Sequence, residues 1–301
     1  MTTAEIEFLI NDDELAGAAR TALESHASIE GVTASPLRPV HNGFKAFIGA
    51  QSYEVSEIAI VTLLQAVAHE KPVLFLPLTA LGRHQHQTLI SIEDLAVSDL
   101  PGRTVGVRAW SQTTGVWVRG FLAEQYGVDL RSVRWRTYES GHVPERADPS
   151  WVERAPEGSS LAKDLLEGRV DFAVMGNDRP KDERVRSVIP DPAKMARDWA
   201  QKVGYVPVNH VFAVRESAAR ELGDAVCQMY DAIAERLEAR KSDGAPGVPL
   251  EPYGFAALRP AVTAAAKYAW EQELLPRPVE YDELVERTSN ALGVPASRLG
   301  A

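Results

Sequence analysis

The chain contains one cysteine and lacks the marks of several protein classes. Cys227 has no disulfide partner, and because it lies in a helical pattern we interpret it as a small buried residue rather than a thiol nucleophile. There is no basic tract and the net charge is −10, so nucleic acid and anionic membranes are not expected partners. An anionic ligand therefore requires a locally positive cleft.

Long apolar runs and a leader are also missing. No run approaches the roughly 18 apolar residues of a membrane span. The N-terminal residues show no basic segment, apolar segment or small-residue cleavage site, so we expect a cytoplasmic protein. What remains is a chain of 301 residues with 45% hydrophobic and 25% charged residues, typical of one large or two medium globular domains.

The most informative stretch runs from residue 100 to 128. Its first part, 104–107, reads as a short buried strand, and a polar turn and a helix follow. The turn consists of Ser111, Gln112, Thr113 and Thr114. Free N–H groups at a helix start bind anions, so we expect an anionic ligand here. Arg119, further along the helix, is our candidate for bidentate carboxylate binding, and an ordinary capped helix with Arg119 in solvent is the alternative.

Strand and helix patterns alternate through most of the chain. Strands are predicted at 6–10, 71–78, 104–107, 133–137, 170–175 and 204–215. Helices are predicted at 12–25, 57–69, 218–240, 260–275 and 281–292. Two extended runs, near 79–88 and 205–213, are expected to cross between two halves. The pattern predicts two α/β lobes around a ligand cleft: lobe I from residues 1–84 and 209–301, which include the C-terminal helices, and lobe II from residues 85–208.

Polar residues near these strand ends are further candidates for lining the cleft. Asn177 and Asp178 follow a strand, and His84 lies near the first crossing, where it would share a strand face with His86. We predict no metal site, because two imidazoles need more ligands and neither a cysteine pair nor an HExxH pattern lies nearby. We likewise expect no cofactor.

Several short motifs occur in an order and spacing that one known family shares. They are Tyr53–Glu57, Asp99–Val107, Val116–Gly120, Tyr126–Val128, Pro156–Gly158, Gly204–His210 and Pro252–Gly254. Together they resemble the 4,5-dihydroxyphthalate decarboxylase family, over about residues 53–284. The resemblance implies a type 2 periplasmic-binding-protein fold, near the NMT1/THI5-like group. It also implies a lyase of aromatic-compound catabolism, which protonates a hydroxylated aromatic acid at the carboxylate-bearing ring carbon and releases CO2.

The resemblance also implies positions for the site. Trp117, Arg119 and Thr113 match the family's residues in the strand–turn–helix segment, and His86 and His210 match histidines of its two crossing strands. The chain departs from the family at two places. The family turn Tyr-Gln-Met-Thr is here Trp110-Ser111-Gln112-Thr113, and Gly82 and Gln85 replace two family arginines, with Arg83 and His84 offset. If those arginines hold substrate carboxylates, this chain binds a ligand with different charge placement.

Ring protonation needs a proton donor with a near-neutral pKa, and histidine meets this need best. We therefore choose His86 and His210, with structural hydrogen bonding as the alternative role. The histidines at 26, 41, 69 and 142 fall on predicted helix ends or loops and are not chosen. Glu57 is the candidate base or hydroxyl acceptor, unless it only favours the start of its helix. Trp110 and Trp117 are candidates for stacking on the substrate ring, with core packing as the alternative.

Two other functions stay open. A binding protein that delivers a small anionic or aromatic ligand to an ABC-type transporter would use the same fold, and the missing leader favours the enzyme over it. The third possibility is a different enzyme class on this fold, as in menaquinone or thiamine-pyrimidine biosynthesis. No reactive cysteine or His-rich cluster supports the thiamine-pyrimidine version. The expected partner is a small aromatic carboxylate, and a homo-oligomer is left open.

Overall fold

The apolar runs form β-strands in the computed structural model, which describes residues 4–240 and 243–301. The strands are β1 (Ala4–Leu9), β2 (Ile29–Ala34), β3 (Val55–Ala59), β4 (Val73–Gly82), β5 (Leu89–Ser91), β6 (Thr104–Val107), β7 (Arg134–Thr137), β8 (Glu153–Arg154), β9 (Phe172–Val174), β10 (Arg186–Ser187), β11 (Val208–Arg215), β12 (Asp243–Ala245) and β13 (Val248–Pro249). The helices are α1 (Asp13–Glu24), α2 (Phe44–Ala50), α3 (Ile60–Ala68), α4 (Thr113–Tyr126), α5 (Leu161–Leu166), α6 (Pro192–Val203), α7 (Glu216–Glu221), α8 (Gly223–Arg240), α9 (Phe255–Glu271) and α10 (Tyr281–Leu292).

The strands form two larger mixed sheets, as the sequence pattern predicts. The first sheet has the order β2-β1-β3-β11-β4, with β11 antiparallel to both of its neighbours. The second sheet has the order β10-β5-β9-β6-β7-β8, with β6 parallel to β7 and β9. Every residue of β3 and of β6 is buried, as expected for central strands covered by helices on both faces. We call the parts built on these sheets lobe I and lobe II.

Local signals place the helix ends. Asp12 caps α1 by accepting a hydrogen bond from the Leu15 N–H at 2.9 Å. Helix α4 ends at Gly127, which has a φ of +66° that glycine adopts without strain. Gly120 allows α4 to approach α9, since a Cβ there would lie 2.3 Å from the Tyr268 ring. The strand–turn–helix segment is thereby held against the C-terminal helices.

The chain passes between the two sheets close to both predicted crossings, but the strands β4 and β11 do not themselves cross. Strands β4 and β11 both lie within the first sheet. They pair antiparallel, with Val73 opposite Arg215 at one end and Gly82 opposite Val208 at the other. The chain passes between the sheets in the segment after Gly82, which forms a short 3-10 turn at His86–Thr88 instead of a strand. It returns between β10 and β11. The predicted lobe boundaries at 84/85 and 208/209 stay a prediction.

The start of α3 also differs from the prediction. Glu57 lies in strand β3, and the helix begins at Ile60. The reason is that Val55–Ala59 pairs with both β1 and β11 in the middle of the sheet, so the backbone is extended there. Glu57 therefore does not serve a helix start. Across the part of the chain that the structure describes, no helix combines the length and apolar character that crossing a membrane would need.

Candidate active site

Glu57 and His210 form a hydrogen-bonded pair on two adjacent strands. Glu57 of β3 stands opposite Phe212 of β11, so His210, two residues away, lies diagonally across on the same sheet face. The His210 Nδ1 donates to Glu57 Oε1 at 2.6 Å, and the Asn11 N–H donates to Glu57 Oε2 at 2.8 Å. The carboxylate is thus held at both oxygens and fixes the orientation of the imidazole.

The outer nitrogen of His210 is available to a ligand. The Glu57 side chain is 4% exposed, whereas the His210 side chain is 19% exposed. The Nε2 atom of His210 is not buried, so it is accessible to solvent. An ionised carboxylate only accepts hydrogen bonds, which places the proton of neutral His210 on Nδ1 and leaves a lone pair on Nε2. The pair can therefore take up and deliver a proton at Nε2.

Other aromatic and basic residues surround this pair. The Phe44 ring contacts His210 edge-on at 5.4 Å and His142 edge-on at 5.5 Å, both between ring centroids. The His142 Nδ1 shares a hydrogen bond of 3.0 Å with Thr62 Oγ1 at the start of α3. We define the cleft cluster as His41, Phe44, Glu57, Arg108, His142 and His210. Lobe I contributes His41, Phe44, Glu57 and His210, and Arg108 and His142 follow β6 and β7 of lobe II, so the cluster lies between the lobes.

The charge of Arg108 acts on the histidines of the cleft cluster. Burial and the Arg108 guanidinium lower the pKa of His142 to about 4. The same two causes lower the pKa of His41, partly offset by the carboxylates of Glu139 and Asp178. Both imidazoles are therefore neutral at pH 7, and Arg108 supplies the positive charge of this wall.

The predicted anion-binding turn lies next to the cleft cluster, but its two threonines are already used. Thr113 Oγ1 accepts from the Val61 N–H at 3.4 Å, which brings the starts of α3 and α4 together. Thr114 Oγ1 accepts from Asn209 Nδ2, also at 3.4 Å. Ser111 and Gln112 are partly exposed, and Ser111 Oγ lies so close to Gly141 that a Cβ at Gly141 would come within 2.4 Å of it. Ser111 and Gln112 are thus the turn residues that keep some exposure, and the Oε1 atom of Gln112 is buried.

Arg119 does not face the cleft, contrary to our expectation. Its side chain is 0% exposed and stacks on Trp110, with 3.6 Å between the guanidinium carbon and the ring centroid. Its Nε donates to Gln272 Oε1 at 2.7 Å, and its Nη2 donates to the Trp110 carbonyl. Helix α4 is buried around most of its circumference, so no polar face was available to carry Arg119 to solvent. Burial holds the pKa of Arg119 well below its usual range.

Trp110 and Trp117 are core residues, in agreement with the alternative interpretation that they serve core packing. Trp110 is 0% exposed and donates its Nε1–H to the Gln272 carbonyl at 2.9 Å. Trp117 is 1% exposed and donates to the Val208 carbonyl at 3.0 Å. Neither ring is placed to stack on a ligand in the cleft. Trp110 joins the segment before α4 to the end of α9, and Trp117 joins α4 to the start of β11.

His86 and His84 also lie outside the cleft. His86 is 0% exposed, stacks on Phe121 at 4.2 Å and shares a hydrogen bond of 3.0 Å with Gln125. Burial lowers the pKa of His86, so it is a neutral core residue. The Nε2 of His84 bonds to the Gly244 carbonyl at 2.6 Å and so tethers the β12–β13 pair. Because the segment is not a strand, the expected shared face does not exist.

Asn177 and Asp178 lie in the exposed loop after β9 of lobe II. Asn177 Oδ1 accepts from Arg83 Nη1 at 3.0 Å. Asp178 accepts from the Gly176 N–H at 3.0 Å, and its charge reaches both Arg83 and His41. Asp178 therefore acts on His41 of the cleft cluster through its charge.

The sequence analysis missed His41, Phe44, Arg108 and His142. Arg108 had a usable signal, since it directly follows a buried parallel strand and ligands bind beyond the carboxyl ends of such strands. The other three come from a turn, a short helix and a loop, where no periodicity tells which way a side chain points. Across residues 4–240 and 243–301, no group of three or more His, Cys, Asp or Glu side chains is placed to hold a metal ion.

Comparison with known proteins gives two curated relatives. No family model matches the chain. The chain is 26% identical to a 4,5-dihydroxyphthalate decarboxylase of Comamonas testosteroni over 200 residues, 59% of this chain and 58% of that protein. It is 29% identical to a 4,5-dihydroxyphthalate decarboxylase of Pseudomonas putida over 207 residues, 62% of this chain and 78% of that protein. The match thus spans somewhat more than half the length of the Comamonas protein.

Solved structures share the fold along nearly the whole chain. A putative periplasmic sulfonate-binding protein, SsuA of Methylobacillus flagellatus, matches with a TM-score of 0.53 and 11% identity, covering 97% of this chain and 96% of that one. A cysteine-to-serine mutant of DSZB in complex with biphenyl-2-sulfinic acid matches with a TM-score of 0.51 and 14% identity, covering 96% and 99%. The chain therefore has a type 2 periplasmic-binding-protein fold, and its sequence resembles the 4,5-dihydroxyphthalate decarboxylases, as the motifs had indicated.

Proposed function

We propose that the chain is a decarboxylase that releases CO2 from a hydroxylated aromatic acid resembling 4,5-dihydroxyphthalate in the cleft between the lobes. The observation that carries the proposal is the Glu57–His210 pair, a buried carboxylate that orients a partly exposed histidine. The similarity to two 4,5-dihydroxyphthalate decarboxylases supports the reaction class. The cleft cluster adds a cation and further imidazoles around the same space.

In this proposal His210 transfers the proton. Protonated at Nε2, it donates to the ring carbon that carries the carboxylate, and the ring π-electrons form the new C–H bond. The bond to the carboxylate then breaks, CO2 leaves, and the bonding electrons restore the aromatic ring. His210 is left neutral and regains a proton from solvent. Glu57 stabilises the imidazolium that delivers the proton and holds Nε2 toward the cleft.

The ring hydroxyls make this proton transfer feasible, because their electrons stabilise the cation that forms on the ring. His142 is placed to assist. When its Nδ1 donates to Thr62, its Nε2 has a lone pair that can accept from a ring hydroxyl. The low pKa of His142 keeps this nitrogen unprotonated at pH 7. This assigns His142 the acceptor role that we had considered for Glu57, whose oxygens are already bonded to His210 and Asn11.

A binding protein without chemistry is the competing function, and the fold shared with a sulfonate-binding protein favours it. One experiment separates the two. The purified protein is incubated with 4,5-dihydroxyphthalate while released CO2 and bound ligand are both measured. Catalytic release of CO2 supports the proposal, whereas saturable binding with full recovery of the ligand supports the binding protein.

A further inference from the structure

Arg108 is a cation held in a fixed position at the end of β6. Its carbonyl oxygen accepts from the Tyr138 N–H at 3.0 Å and from the Glu139 N–H at 2.7 Å, so the backbone is anchored to the neighbouring segment. The Arg108 side chain is 28% exposed. Its backbone is therefore fixed, and part of its side chain is exposed to solvent.

The guanidinium has little of its binding capacity used. Its contact with a carboxylate is one long ion pair, 3.7 Å from Arg108 Nε to Glu139 Oε2, which exceeds a hydrogen-bond distance. The Glu139 side chain is 64% exposed, and such surface pairs contribute little. Within residues 4–240 and 243–301, no carboxylate forms a hydrogen bond with the Arg108 guanidinium. Its fork of donors is therefore open to a ligand carboxylate.

Other arginines in this region differ from Arg108. Arg83 donates to Asn177 at 3.0 Å and packs against Gly176, with its Nε buried, and Arg119 is fully enclosed. Arg103, at the other end of the same strand, donates to Asp171 at 2.8 Å. Arg108 is the arginine whose charge lowers the pKa of both His41 and His142.

We propose that Arg108 is a specificity-determining residue that binds the carboxylate that the substrate keeps. This inference rests on the proposed function for the reaction itself. Arg108 belongs to lobe II and the Glu57–His210 pair to lobe I, so a ring between them presents one end to each. The departing carboxylate must lose its charge as CO2, and a strong ion pair with it would stabilise the ground state and slow the reaction. The retained carboxylate keeps its charge throughout and is the better partner for Arg108.

The test uses binding of two unreactive probes, phthalate and catechol, of which only phthalate carries carboxylates. Calorimetry gives Kd for each probe with wild type, Arg108→Gln, and Arg103→Gln as the matched control on the same strand. We expect wild type and Arg103→Gln to bind phthalate more tightly than catechol. Arg108→Gln should weaken phthalate binding by roughly 10- to 150-fold, the range of one hydrogen-bonded charge, and leave catechol binding nearly unchanged. Arg108→Lys, which keeps the charge without the fork, should fall between.

The outcomes are distinct from those of the decarboxylation assay. If Arg108→Gln loses phthalate selectivity while no hydroxylated acid is turned over, the carboxylate site stands and the proposed reaction fails. The inference is overturned if wild type binds neither probe, if Arg108→Gln weakens both probes equally, or if it keeps the preference for phthalate. Thermal unfolding of each variant shows whether the fold is retained, and the Lys variant supplies the result should the Gln variant not fold.

Discussion

Replacing Glu57 by glutamine tests the Glu57–His210 pair with the smallest change of shape. The substitution keeps the hydrogen bond from the Asn11 N–H, which an amide oxygen can accept, and removes the negative charge beside His210 Nδ1. A hydrogen bond to a charged group contributes about 1.5–3 kcal/mol. Since about 1.4 kcal/mol is a factor of ten in rate, kcat at neutral pH should fall by roughly 10- to 150-fold. The reason is that the amide N–H of the introduced glutamine would face Nδ1, so it cannot stabilise the imidazolium that donates the proton.

The assay is CO2 release from 4,5-dihydroxyphthalate at saturating substrate, with thermal unfolding measured alongside. We expect the melting temperature to fall, because the amide replaces two hydrogen bonds to a charged carboxylate by weaker neutral ones. Glu54→Gln is the matched control: Glu54 also accepts from a backbone N–H, that of Glu7 at 2.7 Å, and also pairs with a cation, Arg215 at 2.9 Å, but it lies outside the cleft cluster. The reasoning is refuted if Glu57→Gln keeps kcat within about twofold of wild type or if the control loses as much.

Three further predictions concern residues whose roles differ from the first expectation. His86→Ala should lower the free energy of unfolding by about 2–4 kcal/mol, as other large-to-small core changes do, and leave kcat of the folded protein unchanged. Urea unfolding measures the first quantity and the CO2 assay the second. A loss of kcat without a loss of stability would contradict the structural role of His86. Arg119→Met should lower the free energy of unfolding by about 1–3 kcal/mol for each of the two acceptors it leaves unpaired, at Gln272 and Trp110, and leave KM unchanged. A raised KM in a stable protein would support the carboxylate-binding role instead. His142 has its pKa lowered from 6.5 to about 4, so between these values the unfolded state binds more protons and stability rises with pH. Denaturant unfolding across that window should show a shallower slope for His142→Gln, and an unchanged slope would contradict the burial of a neutral His142.

Much of the fold could be predicted from the sequence because buried strands and amphipathic helices have clear periods. The segment from β6 to α4 was located correctly, and Glu57 and His210 were both chosen although they are far apart in the chain. The errors come from positions where the period stops. His86 was assigned a strand face, but the strand ends at Gly82 and the 3-10 turn after it points His86 toward α4.

The cleft residues that the sequence analysis missed depend on tertiary contacts. His41 and His142 lie in a turn and a loop, and only the packing of Phe44 and Thr62 shows that His142 faces His210. The choice of Arg119 instead of Arg108 as the carboxylate-binding arginine has a similar cause. The first part of α4, residues 113–122, is buried on all sides, so the sequence gives no phase from which to place Arg119. The burial of Arg119 also depends on Gln272, which is distant in the sequence.

The most direct test of the account is the fate of 4,5-dihydroxyphthalate in D2O with wild type and with His210→Ala, followed by proton NMR and mass spectrometry. We expect wild type to convert it into 3,4-dihydroxybenzoate with one deuterium at the ring carbon that lost CO2. His210→Ala should bind the acid but convert it roughly two to four orders of magnitude more slowly, the range of general acid catalysis. Recovery of unchanged acid from wild type, or equal rates for the two proteins, would contradict the account.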